Sequence, residues 1–314
     1  MKRLFVCCVV LAVIISCAHM NEAEKAFQLQ DYETTIRLCL NAIEADSLDF
    51  DAMRLLSRTY IQTDSMIQAR NTAQRAYDLD RESRQNRRAL CNVFDVSGDK
   101  ALQEGSEEYA LTWYMKAAEL CSTDTGILRK KADMLSALNS LDRAMNQYKR
   151  LRTMKSDTAG VAGSITGLEI RKAEADNAFE KGLDQYSRGR IKTAKKYLSK
   201  AADLNRDNDD ARYYLYLASG RSELKYRRKT RLWQAIEFFG KASTVKPEKA
   251  APHYFMAKAY EKKDGDEFTN AIDEYKKAAA LEPDGPYAKE SAAKARALRA
   301  RKKKLDDFWG RGEK

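Results

Sequence analysis

The stretch from Met53 to Arg81 reads MRLLSRTYIQTDSMIQARNTAQRAYDLDR. Met53, Leu56, Ser57 and Tyr60 stand at i, i+3, i+4 and i+7, which is one face of a helix. A polar break at Gln62 to Ser65 follows. Ala69, Ala73 and Ala76 are then three or four apart, which predicts a second helix with a small-residue face. Small residues there let the two helices approach closely. The pair is a helical hairpin that cannot bury its own apolar face alone, so it needs neighbours.

The same signature runs along the chain. Ala23, Phe27, Tyr32, Thr35, Ile36, Cys39, Ala42 and Ile43 precede the quoted hairpin, with a turn at Asp31-Tyr32. A third unit starts with Leu90, Cys91 and Phe94 and closes with Ala110, Tyr114, Ala117 and Leu120. About seven extra residues lie between its halves, around Asp95 to Glu108; they are two helical turns, so they either lengthen the hairpin or form a loop, and Gly98 and Gly105 favour irregularity. A fourth unit holds Leu128, Ala132, Leu135, Ala144, Tyr148 and Leu151. The pattern loosens over Ala159 to Lys172, which reads as a degenerate helix with a possible bend. It resumes in a fifth unit at Phe179, Gly182, Tyr186, Ala194 and Leu198, with a turn at Gly189-Arg190. The sixth unit (Tyr214, Leu215, Ala218, then Ala235, Ile236, Phe239) again carries about seven extra residues, including Lys225, Arg227, Arg228, Lys229 and Arg231. The seventh has Met256, Ala257, Tyr260, Ala271, Ile272, Tyr275 and Ala278. Pro247 and Pro283 are placed to stop helices just past their ends. A final helix follows Pro286, with Ala292, Ala295 and Leu298 on one side and Arg296, Arg299 and Arg301 to Lys304 around the rest. A polar-backed last helix fits the cap of a stacked array.

This pattern resembles the tetratricopeptide repeat, a helix–turn–helix unit with a period of about 34 residues. The resemblance implies an all-α, right-handed superhelical solenoid of such hairpins with a C-terminal capping helix. The expected division is a signal peptide at 1–16, a first array at 17–156, a degenerate helical connector at 157–176, a second array at 177–284, and a capping helix with a basic tail at 285–314. Composition agrees: only 14 Gly and 4 Pro in 314 residues leave few helix breakers. The net charge of +11 is compatible with nucleic acid, a membrane surface or acidic partners. No nucleic-acid motif accompanies it, and no nucleic-acid partner is expected.

Lys2 and Arg3, the apolar run Leu4 to Ile15, then Ser16 and Cys17 form an export signal. Ile14-Ile15-Ser16-Cys17 resembles the bacterial lipobox. That resemblance implies cleavage before Cys17 and fatty acylation there, palmitate included, with several chains giving stable membrane anchoring. Ala18 is not the aspartate that favours inner-membrane retention, so the expected place is the outer membrane, facing the periplasm. An ordinary secreted protein cut nearby is the alternative.

Nothing in the sequence carries catalysis. Cys17, Cys39, Cys91 and Cys121 lack CxxC spacing, and Cys39 and Cys91 fall on packing positions, so a disulfide among the last three is not expected. His19 and His253 belong to no metal-ligand cluster. No phosphate loop or nucleophile elbow is present. The expectation is a non-enzyme without cofactor or metal.

What remains is surface. In the resembled family the first helix of each repeat lines the inner wall. By that resemblance the candidates are Arg54 and Arg58, Arg88 and Asn92, Arg129 and Asp133, Tyr213 and Leu217, and Tyr254 and Lys258, each pair four apart on one helical stripe. The first half would be rich in arginine, suited to carboxylates on an extended peptide, and the second aromatic. Arg88 and Asn92 resemble part of the clamp that grips chaperone C-terminal carboxylates, though the lysines of the next repeat are missing. Solvated helix faces are the alternative. The expected function is a lipid-anchored scaffold for protein partners, acidic in character, in outer-membrane assembly or secretion. A peptidoglycan or carbohydrate binder using Tyr213, Tyr214, Tyr216 and Tyr254 is the alternative.

Overall fold

The computed structural model describes residues 20–154, 158–263 and 268–309. The leader and Cys17 lie outside the described residues. Those residues form fifteen helices and no strand. They are α1 (20–28), α2 (Tyr32–Ala45), α3 (Phe50–Gln62), α4 (Met66–Leu79), α5 (Arg84–Gln103), α6 (Glu107–Leu120), α7 (Thr125–Ala137), α8 (Leu141–Thr153), α9 (Thr158–Ser187), α10 (Ile191–Leu204), α11 (Asp209–Glu223), α12 (Lys229–Val245), α13 (Ala250–Lys263), α14 (Thr269–Leu281) and α15 (Ala288–Phe308). They pair in order as seven hairpins and a cap. No described helix is long and apolar enough to cross a membrane. The chain divides into two compact units: one runs to Leu138 and includes Arg143–Ile165, and the other comprises Asn139–Asp142 and everything from Thr166.

Two kinds of turn alternate, each written in local chemistry. Inside five hairpins the residue two places before the second helix is left-handed: Gln30, Asp64, Gly105, Asn139 and Gly189, with φ of 61°, 57°, 74°, 59° and 71°. At Gly105 its own N–H donates to Leu102 O (3.0 Å) while Ser106 N–H reaches back to Ala101 O (2.8 Å). That is the Schellman closure, which satisfies helix-end carbonyls and reverses the chain tightly. Between hairpins the chain leaves extended, as at Asp46 and Asn205. It re-enters through Asp49, Ser83, Asp124 or Asn208, whose side chains accept first-turn N–H groups. Pro247 and Pro283 directly follow the C-caps Lys246 and Glu282.

In the first unit, Ala69, Ala73 and Ala76 are fully buried, and Ser57 Oγ donates to Ala69 O at 3.0 Å. The third hairpin resolves the question of its extra residues: α5 is one continuous helix of 20 residues against 13 for α3. Gly98 precedes Ala110 by the same spacing that separates Ser57 from Ala69, so Gly98 takes the small slot. A Cβ there would lie 2.4 Å from the Tyr114 ring. The two extra turns therefore precede the packing register, at the start of α5 and not around Asp95 to Glu108, and Cys91 holds the position that Phe50 holds in α3.

The structure corrects the expectation for the cysteines. Cys91 forms a disulfide with Cys121, their Cα atoms 6.3 Å apart, within the span such a bond requires. Cys39 is free and buried, its thiol pushed up to about 12 by burial and by Asp49 and Glu24 nearby.

α9 is a single helix of 30 residues that runs through the loosely patterned stretch into the fifth hairpin, its residues to Ile165 counted in the first unit and those from Thr166 in the second. In the sixth, the extra residues are shared between both helices and the short loop 224–228. Gly220 lies against the Phe239 ring as Gly98 lies against Tyr114.

One polar device recurs in both units. Tyr114 Oη donates to Asp99 (2.7 Å), and Lys130 of the next hairpin grips Asp99 (2.8 Å) and Asp95 (2.9 Å). Tyr275 Oη likewise donates to Glu261 (2.9 Å), which Lys294 of α15 holds at 3.1 Å. Each tyrosine thus ties its hairpin together, and each lysine ties it to its successor. α15 closes the second unit by burying Ala288, Ser291, Ala295 and Leu298. Ala295 and Leu298 belong to the same apolar cluster as Phe268, Tyr275 and Ala278.

Candidate partner-binding surface

The first helices α1, α3 and α5 line an open cleft of about 480 Å³ in the first unit. Arg54, Arg58, Arg88 and Asn92 all face it, with Glu24, Asp51 and Gln85 alongside. The helical stripe explains this: residues four apart flank the buried face and point the same way.

The three arginines differ in how far they are committed. Arg54 is held by Asp51 and donates to Asn86 Oδ1 at 2.6 Å. Arg58 stands 3.7 Å from Glu24 with its guanidinium 4.6 Å from the centre of the Phe27 ring. Arg88 and Asn92 are exposed and have no partner among the described residues. Glu24 and Asp51 each attend one arginine, which leaves the charge of Arg88 uncompensated. Its fork suits a carboxylate, and Asn92 one turn on offers a further donor and an acceptor.

The remaining candidates are spoken for. Arg129 pairs with Asp133 (3.5 Å), which also accepts the Tyr148 hydroxyl. Lys258 Nζ donates to Tyr254 Oη at 3.1 Å. Tyr213, Leu217 and Tyr254 correct the expected aromatic wall: they are 4%, 2% and 5% exposed. Tyr213 and Leu217 share a core with Met256 and Ala259 of α13, and Tyr254 stacks 4.6 Å from Tyr287 before α15. Large apolar side chains on that stripe are taken up by the next helix because their burial is favourable, whereas arginines stay wet. The carbohydrate alternative thereby loses two of its four tyrosines.

The fully buried Asn86 was not singled out from the sequence. Its Nδ2 donates to Ala76 O (3.0 Å) while its Oδ1 receives Arg54, so it fixes the angle of that arginine. A polar residue three places after the cap Ser83, on the face that turns inward, was the available signal. Among the described residues no group of three or more His, Cys, Asp or Glu is arranged to hold a metal ion.

No family model and no curated protein sequence matches the chain. Among solved structures it is similar to the TPR domain of P58(IPK), at 12% identity over 91% of this chain and 98% of that one, with a TM-score of 0.37. It is similar also to the TPR2AB domain of yeast Sti1 in its pHSP90 complex, at 15% identity, 92% and 98% coverage, and a TM-score of 0.35. A third is YrrB, described as a TPR protein with an unusual peptide-binding site, at 17% identity, 70% and 97% coverage, and a TM-score of 0.31. All three are tetratricopeptide-repeat proteins.

Proposed function

We propose that this chain is a non-catalytic scaffold, lipid-anchored in the cell envelope, whose first unit binds an acidic, extended segment of a protein partner. The observation that carries the reading is Arg88: an exposed guanidinium without a carboxylate of its own, in a cleft where Arg54 and Arg58 already have theirs. The lipobox-like Ile14-Ile15-Ser16-Cys17 supports the anchor, on residues outside those the structure describes. The Cys91–Cys121 disulfide supports a compartment more oxidising than the cytosol. A place in outer-membrane assembly or secretion is the specific version of this role.

The test is fluorescence anisotropy with a set of labelled acidic peptides and the chain from Met20 onward. Losing a charged hydrogen bond costs about 1.5–3 kcal/mol, so Arg88→Ala is expected to weaken binding roughly ten- to a hundredfold. Peptides with amidated acids should bind the wild type no better than the acidic peptides bind that variant. Equal binding of acidic and amidated peptides, or an unaffected Arg88→Ala, would overturn the reading. The anchor is tested separately: labelled palmitate should enter the wild type in a bacterial host and not Cys17→Ser.

A further inference from the structure

In the second unit the ends of α9 and α13 lie beside α11 and the loop that follows it. Lys262, near the end of α13, donates to Leu224 O in the α11–α12 loop at 2.9 Å. The Trp233 ring, at the start of α12, lies 6.2 Å from Tyr260 and 4.3 Å from the Lys263 ammonium. Arg221, near the end of α11, spans the Tyr186 ring of α9 (4.7 Å) and the Phe255 ring of α13 (5.4 Å). These contacts make one continuous edge out of separate turns.

That edge is basic. The α9–α10 turn is Arg188-Gly189-Arg190, and the α11–α12 loop runs Lys225-Tyr226-Arg227-Arg228 into Lys229. All these residues are exposed. Asp184 holds Arg188 (2.8 Å) and Glu223 holds Arg231 (2.9 Å). Arg190, Lys225, Arg227, Arg228 and Lys229 have no carboxylate partner among the described residues. The equivalent turns of the first unit supply a comparison inside the same chain: Leu29-Gln30-Asp31, Thr63-Asp64-Ser65 and Glu104-Gly105-Ser106 contain no lysine or arginine. Schellman closure needs only one left-handed residue, so turn geometry does not ask for these cations. The edge also keeps large aromatics in water: Tyr226 is 52% and Trp233 54% exposed.

We propose that this basic, aromatic edge of the second unit docks on the anionic headgroup surface of a phospholipid bilayer. Cations beside an anionic leaflet gain from its surface potential, and tyrosine and tryptophan prefer the depth where headgroup meets acyl chain. Lipid is chosen over nucleic acid because of the export leader, and only that choice rests on the envelope reading.

Cosedimentation with phosphatidylcholine vesicles, with and without phosphatidylglycerol, tests the idea on the chain from Met20 onward, which carries no acyl group. Binding is expected only with the anionic lipid, and to fall as salt rises. The variant Lys225→Glu/Arg227→Glu/Arg228→Glu/Lys229→Glu, with its helical circular dichroism unchanged, should bind at least about tenfold more weakly. Should that variant lose helicity, salt dependence and the two vesicle types decide for the wild type alone. Equal binding to neutral vesicles, or an unimpaired folded variant, would overturn the proposal. Retention on duplex DNA without vesicle binding would assign the edge to a polymer and also overturn it. The cleft of the first unit is untouched by these changes, so peptide binding and lipid docking fail or succeed independently.

Discussion

Gly98 occupies the interior of a long helix, where glycine weakens a helix by about 1 kcal/mol relative to alanine. Tyr114 accounts for it, since its ring fills the space a Cβ would take. Gly98→Ala is therefore expected to destabilise the first unit by about 1–3 kcal/mol through overpacking, read from urea denaturation. Gly163, also helical, is the contrast, because a Cβ there would meet open space. Gly163→Ala should be neutral or stabilise by up to about 1 kcal/mol. If both substitutions act alike, the Tyr114 contact is not the cause. At this scale the sequence was legible for Ala69, Ala73 and Ala76, whose spacing reports their face directly. It was not legible for Tyr213 and Tyr254, because a stripe flanking a buried face is open or closed according to which helix arrives next.

At the scale of elements, α5 and α6 show how helix pairing joins distant residues. Their packing brings Cys91 to Cys121, residues 30 apart in the chain. Closing a loop of that size stabilises by about 3–4 kcal/mol when unfolded-chain entropy dominates. The double variant Cys91→Ser/Cys121→Ser should lose that amount in urea titrations. Reductant should destabilise the wild type and leave the double variant unmoved, since Cys39 is unpaired. A wild type indifferent to reductant would mean that the bond contributes nothing. The number of extra residues could be counted in the sequence; their place at the start of α5 shows only once Gly98 meets Tyr114 across the hairpin.

For the whole molecule, stability passes from neighbour to neighbour. α15 covers the last hairpin, and Lys294 holds the carboxylate that Tyr275 also uses. A chain ending at Asp284 is expected to lose amide protection in α13 and α14 while α3 to α5 keep theirs, as hydrogen exchange would record. Peptide binding at the Arg88 cleft should survive the truncation. Loss of protection throughout the first unit would show that the hairpins do not stack as nearest neighbours.

Helix order, hairpin pairing and turn chemistry were determined by the sequence alone, because apolar spacing, alanine faces, left-handed turn residues and caps act within a few residues of one another. Three things waited for the tertiary structure: which arginine of the cleft is left without a carboxylate, the cysteines that meet, and the tyrosines that leave the surface. Each depends on residues roughly thirty apart or more being brought together by helices packing within one hairpin or against the next, and no local pattern records that distance.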